Sequence, residues 1–410
     1  MMRAFFVTPI LVLAACQTYD FERVEPLAIQ QTTQSEPIGG RQLKPNLMLL
    51  LDKSGSMSTP ISATAPGCPV GCGSGSPCPT GCPTRISELR SSMAAFLPSA
   101  GSIARMGLAL FPIDKVCGVP SDLSVPLPPP ASADDKASDD ANVAQASVIN
   151  AAVQAAAPNG GTPTNLSLRF VGRSESLNQV DNRQDFVLLL TDGVPNCNDM
   201  NVNNCCADDR NCAAPNPCAC TTATGSCVSG LCALGCLDRQ GVVEAVQELR
   251  SKSIKTIVIG FGIGEVLSAD QKGAPDVLNA MAEAGGFPRA CANDAACGMG
   301  DKCTIAAGQT SGVCNQKYYR ATNGSELNAA LKAISDGINN TSICERTLET
   351  QPQNEKYLAV IVDGVNQTSG PETWVYTGGK VVFQGAACEK LKAATINAPI
   401  KVEIRIVKVL

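Results

Sequence analysis

The chain of 410 residues carries 36 Gly, 27 Pro and 21 Cys, with 44% apolar and 17% charged residues. That balance suits one sizeable core with satellites and excludes wholesale disorder. A net charge of −5 and 4% aromatic residues argue against a nucleic-acid face, which needs basic patches and stacking rings. There is no His, which removes Ser-His-Asp and Cys-His catalysis and His-ligated zinc.

Met1-Met2-Arg3 and the apolar run Ala4 to Ala15, broken by Thr8 and Pro9, read as a secretory signal too short to span a bilayer. The run ends in Leu13-Ala14-Ala15-Cys16, which resembles a bacterial lipobox. That resemblance implies removal of residues 1–15 and lipidation of Cys16, which would anchor the chain in the cell envelope through its N-terminal lipid. By analogy with lipoprotein sorting, Gln17 after the cysteine favours the outer membrane, on its periplasmic face or at the cell surface. With Cys16 set aside the remaining cysteines are even in number, as disulfides in an exported chain require. Residues 16–44 are polar and aperiodic and read as a tether.

The apolar run Leu47 to Leu51 stops at Asp52, as a strand buried on both faces would. Further strands are expected over Met106–Phe111, Asp185–Thr191, Ile254–Phe261 and, briefly, Tyr318–Ala321. Helical spacing marks Ile86–Leu97, Asn142–Ala157, Val242–Leu249, Val277–Ala284 and Ser325–Ile338. The alternation predicts an α/β fold with a doubly wound, mainly parallel sheet over residues 45–343. Residues 344–410 are β-rich, with turns at Asp363-Gly364 and Gly378-Gly379, and read as a small antiparallel β module.

Three Cys-rich insertions, over residues 59–84, 197–238 and 291–314, interrupt the alternation. They hold few apolar residues, so cross-links must hold them. The second has nine cysteines and needs an outside partner, for which Cys117 is one candidate. Disulfides and four-cysteine zinc sites both suit these spacings. Cys344 and Cys388 are alone in the last part of the chain and are a possible disulfide.

Asp52-Lys53-Ser54-Gly55-Ser56 follows the first predicted strand and places a carboxylate and two hydroxyls around one point. Thr191-Asp192-Gly193 reaches the same edge from another strand, and Gly160-Gly161-Thr162-Pro163-Thr164 adds a further hydroxyl. Hard oxygens suit Mg²⁺, Mn²⁺ or Ca²⁺, and open α/β sheets bind ligands at the carboxyl ends of their strands.

With these elements in order, the chain resembles a von Willebrand factor A (vWA) domain with a metal-ion-dependent adhesion site. The segment from Cys291 to Cys314 resembles Cys-rich modules of exported myxobacterial and related proteins. The resemblance implies a Rossmann-like vWA fold. It also implies Ser54, Ser56 and Thr162 as direct metal ligands, with Asp52 and Asp192 acting directly or through water. Neutral first ligands leave a dication, most simply Mg²⁺, able to accept a carboxylate from a partner protein. The expectation is therefore a lipid-anchored envelope protein that binds a partner through the metal, with no enzymatic activity and no nucleic-acid partner. The alternative is a structural envelope protein in which the metal only rigidifies the fold. Insertions 59–84 and 197–238 leave strand ends at the metal edge and are expected to ring the site.

Overall fold

The run from Asn46 to Asp52 is buried at every position and forms strand β2, an interior strand of a five-stranded parallel sheet. In the computed structural model the described residues are 29–38, 44–62, 65–73, 76–101, 103–114, 117–129, 136–178, 183–197, 238–263, 273–298, 300–306, 311–348, 350–377, 379–393 and 400–409. The signal segment, Cys16 and residues 198–237 of the second insertion lie outside them.

The sheet order is β3 (Arg105–Phe111), β2, β4 (Asp185–Thr191), β5 (Ile254–Phe261), β9 (Tyr319–Ala321). Leu49 lies opposite Leu108 on one side and Leu188 on the other, and Leu188 opposite Ile257. Side chains alternate across this sheet and build two cores. Leu47, Leu49, Leu51, Leu188 and Ile257 pack with helices α1 (Arg85–Ala100), α2 (Lys136–Ala155) and α7 (Gly324–Cys344). Met48, Leu50, Val187, Leu189 and Val258 pack with α3 (Thr164–Gly172), α4 (Arg239–Ser251) and α5 (Ala274–Ala284). With both faces covered, the strands must be apolar throughout, and each such buried side chain contributes about 1.5–3 kcal/mol. This is the doubly wound, vWA-like architecture expected.

The sequence pattern does not announce α3. It lies on the opposite face from α2, so the link between these helices crosses the carboxyl edge of the sheet. The chain also passes from β3 back across β2 to β4, which makes that edge the place where strand order reverses.

The first insertion is an excursion that opens and closes at one point: the Arg85 amide donates to the Thr59 carbonyl at 3.0 Å. Its disulfides are Cys68–Cys82 and Cys72–Cys78. The third insertion precedes β9 and holds a one-turn helix, α6 (Asp294–Cys297), and three short strands, β6 (Ala290–Cys291), β7 (Cys303–Thr304) and β8 (Gly312–Cys314), around disulfides Cys291–Cys303 and Cys297–Cys314. In both of these insertions the sulfurs that sit close enough to share a metal are tied up in disulfides rather than offered as zinc thiolates.

The C-terminal module differs from expectation in two respects. Residues 29–38, expected to be tether, form strand β1, which pairs antiparallel with the last strand β15 (Ile400–Val409) over its whole length. The four-stranded sheet runs β1, β15, β11 (Leu358–Val362), β12 (Val365–Gln367). A three-stranded sheet runs β10 (Glu345–Thr347), β14 (Lys380–Phe383), β13 (Trp374–Thr377). Trp374, Val381, Phe383, Val360 and Ile404 form the shared core. Helix α8 (Gly385–Lys392), also unannounced by the sequence pattern, carries Cys388, which is bonded to Cys344 at the end of α7. A mixed-sign cluster joins the module to the parallel sheet: Lys255 at the start of β5 lies 3.0 Å from Glu345, which also meets Lys380 at 3.2 Å.

Candidate metal centre

Asp52 ends β2 at the carboxyl edge and is fully buried. Its Oδ1 accepts the Ser54 amide at 2.7 Å and its Oδ2 accepts the Thr191 hydroxyl at 2.6 Å. Residues Gly55–Ser58 then make one 3-10 turn pinned in the core by buried Met57. The turn points Ser54 Oγ and Ser56 Oγ toward each other at 3.0 Å, and Ser56 Oγ donates to Asp192 Oδ1 at 2.9 Å.

Thr162 arrives on the link between α2 and α3. Two backbone bonds fix that link to the first loop, from Gly55 N to Gly160 O and from Asn159 N to Lys53 O, both 2.9 Å. The Thr162 amide donates to Asn196 Oδ1 at 2.8 Å. Next to Asn196, Cys197 is bonded to Cys117, so a disulfide joins the loops that follow β3 and β4. A Cβ on Gly161 would stand 2.9 Å from Cys197 Sγ and 3.1 Å from Asn196 Oδ1. Only glycine lets the threonine loop lie this close.

The structure thus brings Asp52, Ser54, Ser56 and Asp192 into one hydrogen-bonded group, with Thr162 on the adjoining loop. Three residues that sequence reasoning missed support them: Thr191, Asn196 and Arg85. Arg85 Nη1 donates to Asp192 Oδ2 at 2.7 Å, with neither side chain substantially exposed. A cation at the first position of a helix opposes the helix dipole, and that anomaly was the available signal.

Burial, helped by the negative charge of Asp192, pushes Asp52 from the ordinary 3.8 up to about 7. Arg85 bonds Asp192, and burial disfavours the ionised form of Asp52, a cost that a bound cation would offset. The Ser54–Ser56 and Ser56–Asp192 separations of 3.0 and 2.9 Å are those of ordinary hydrogen bonds. The donors are all hard oxygens, so the residues fit a hard divalent cation such as Mg²⁺, Mn²⁺ or Ca²⁺.

No family model and no curated protein matches the chain. Solved structures similar to it include the pilus adhesin SpaC from Lactobacillus rhamnosus GG, at 16% identity and a TM-score of 0.44, covering 93% of this chain and 42% of that one. Another is the vWF domain of the type V pili tip protein Mfa5 from Porphyromonas gingivalis, at 12% and 0.39, covering 76% and 99%. A von Willebrand factor type A structure from Catenulispora acidiphila follows at 11% and 0.37, covering 95% and 67%. The chain spans 42% of the adhesin's length. At these identities the likeness is one of fold, and the metal centre rests on its own residues.

Proposed function

We propose that this chain is an adhesion-type protein of the cell envelope that binds a partner protein through a divalent cation, Mg²⁺ in the first instance. Asp52, Ser54, Ser56, Thr162 and Asp192 would hold the ion, and a partner carboxylate would complete its shell. The observation that carries the reading is the convergence of two buried carboxylates and two serine hydroxyls in one hydrogen-bonded group, with Thr162 on the adjoining loop, at the edge where strand order reverses. Binding without turnover is the proposed output, since the sequence has no histidine to serve as a base. Leu13 to Cys16 supports attachment through an N-terminal lipid, with the outer membrane as the proposed site.

Calorimetric titration of residues 17–410 with Mg²⁺, Mn²⁺ and Ca²⁺ tests this. The expected result is one saturable site, lost in Asp52→Ala while the melting transition survives. Absence of binding by the wild type would overturn the reading and leave a structural envelope protein.

A further inference from the structure

Arg85 lies 6% exposed at the start of α1, beside a proposed cation site where a positive charge is unfavourable. Its position is nevertheless built. The stem lies against Gly262, whose φ of +68° and missing side chain admit it: a Cβ there would meet Nε, Cδ and Cγ at 3.0–3.2 Å. Nε has no hydrogen-bond partner among the described residues, and the charge is directed through Nη1 onto Asp192 Oδ2. Asp192 is thereby divided. One oxygen is held by the guanidinium and the other faces Ser56 and the centre.

We propose that Arg85 is a positioning residue that makes cation binding depend on an anionic ligand, a role that rests on the metal-site reading above. It orients Asp192 with Oδ1 toward the ion, and its charge cancels one of the two carboxylates. Counting Asp52, Asp192 and Arg85, a dication leaves a net single positive charge, one unit more than without Arg85, and Lys53 beside Asp52 adds to that surplus. That surplus disfavours the ion alone and is relieved when a carboxylate binds. Each ligand must therefore tighten the other by the same factor. The outcome is a centre that holds its ion firmly only while a partner is engaged.

The test is Mg²⁺ titration of the full chain, with and without acetate, on wild type and Arg85→Gln, with acetamide as the uncharged control. In the wild type, acetate should tighten Mg²⁺ by about tenfold and acetamide should not. Arg85→Gln should bind Mg²⁺ alone about tenfold more tightly and lose most of the acetate effect. Its melting temperature should also rise more on adding Mg²⁺ than the wild type's. If Arg85→Gln does not fold, Arg85→Met, which keeps an apolar stem against Gly262, carries the same comparison. Absence of any acetate effect in wild type that binds Mg²⁺ would overturn the proposal by itself, whatever the variants do. An acetate effect that is unchanged in a folded Arg85 variant would make Arg85 a structural clamp. Wild type that binds no Mg²⁺ under any condition would instead sink the metal-site reading, and this proposal with it.

Discussion

Asp52 accepts two hydrogen bonds, yet burial and the neighbouring Asp192 keep its proton on until about pH 7. The folded, ion-free chain therefore binds a proton more tightly than the unfolded chain, whose carboxyl titrates near 3.8. Its contribution to stability is fully present below that lower value and is lost as pH rises through about 7. A cation needs the carboxylate, so the two compete. Apparent Mg²⁺ affinity should fall by up to about tenfold per unit as pH drops below about 7, and flatten above it. Titrations between about pH 5 and pH 8 check this, and a flat profile would mean that Asp52 is ionised throughout. At this scale the ligands were readable because each sits beside a strand end or a glycine turn. Arg85 was harder to read: a cation at a helix start marks it as unusual, but its partner is 107 residues away and nothing local names Asp192.

Among the elements, the buried strands were the easiest to read, since a strand covered on both faces must be apolar at every position, as β2 is. Helix α3 escaped because Leu166-Ser167-Leu168-Arg169-Phe170 alternates as a strand would, just after a proline-containing turn. Yet the placement of α2 and α3 on opposite faces is what carries Thr162 over the sheet edge. The Cys117–Cys197 bridge and Asn196 hold that crossing in place. Replacing both cysteines with serine should cost about 2–4 kcal/mol in urea unfolding, since the bridge closes a long loop. The same variant should weaken Mg²⁺ binding by about tenfold as the threonine loop loosens, and Asn196→Ala should do so with a smaller loss of stability, of about 1 kcal/mol. Unchanged affinity in both would show that Thr162 is held by the Gly55–Gly160 and Lys53–Asn159 backbone bonds alone.

In the whole molecule the parallel domain is an insertion within the small β module, because β1 precedes it and β15 follows it. Pairing between residues 29 and 409 has no local signature, and a polar Gln/Thr-rich segment offers no apolar alternation to reveal a strand. Deleting residues up to Ile38 should lower the melting transition of the module and speed hydrogen exchange of the β15 amides. The parallel domain and its Mg²⁺ binding should persist. Exchange in β15 identical to wild type would show that β1 adds nothing to the sheet. The same topology decides how the molecule would carry tension. A pull between the N-terminal end and the metal loops enters at Ile29, leaves β1 at Ile38, and passes lengthwise along β2, which is gripped by parallel neighbours on both sides. Residues 345–409 hang beside that line of force instead of lying in it. Because β1 is already extended, at about 3.3–3.4 Å per residue, peeling it from β15 would release almost no slack. The module would act as a splint on a taut cord, and the first part to yield along that line would be the shear-loaded grip on β2.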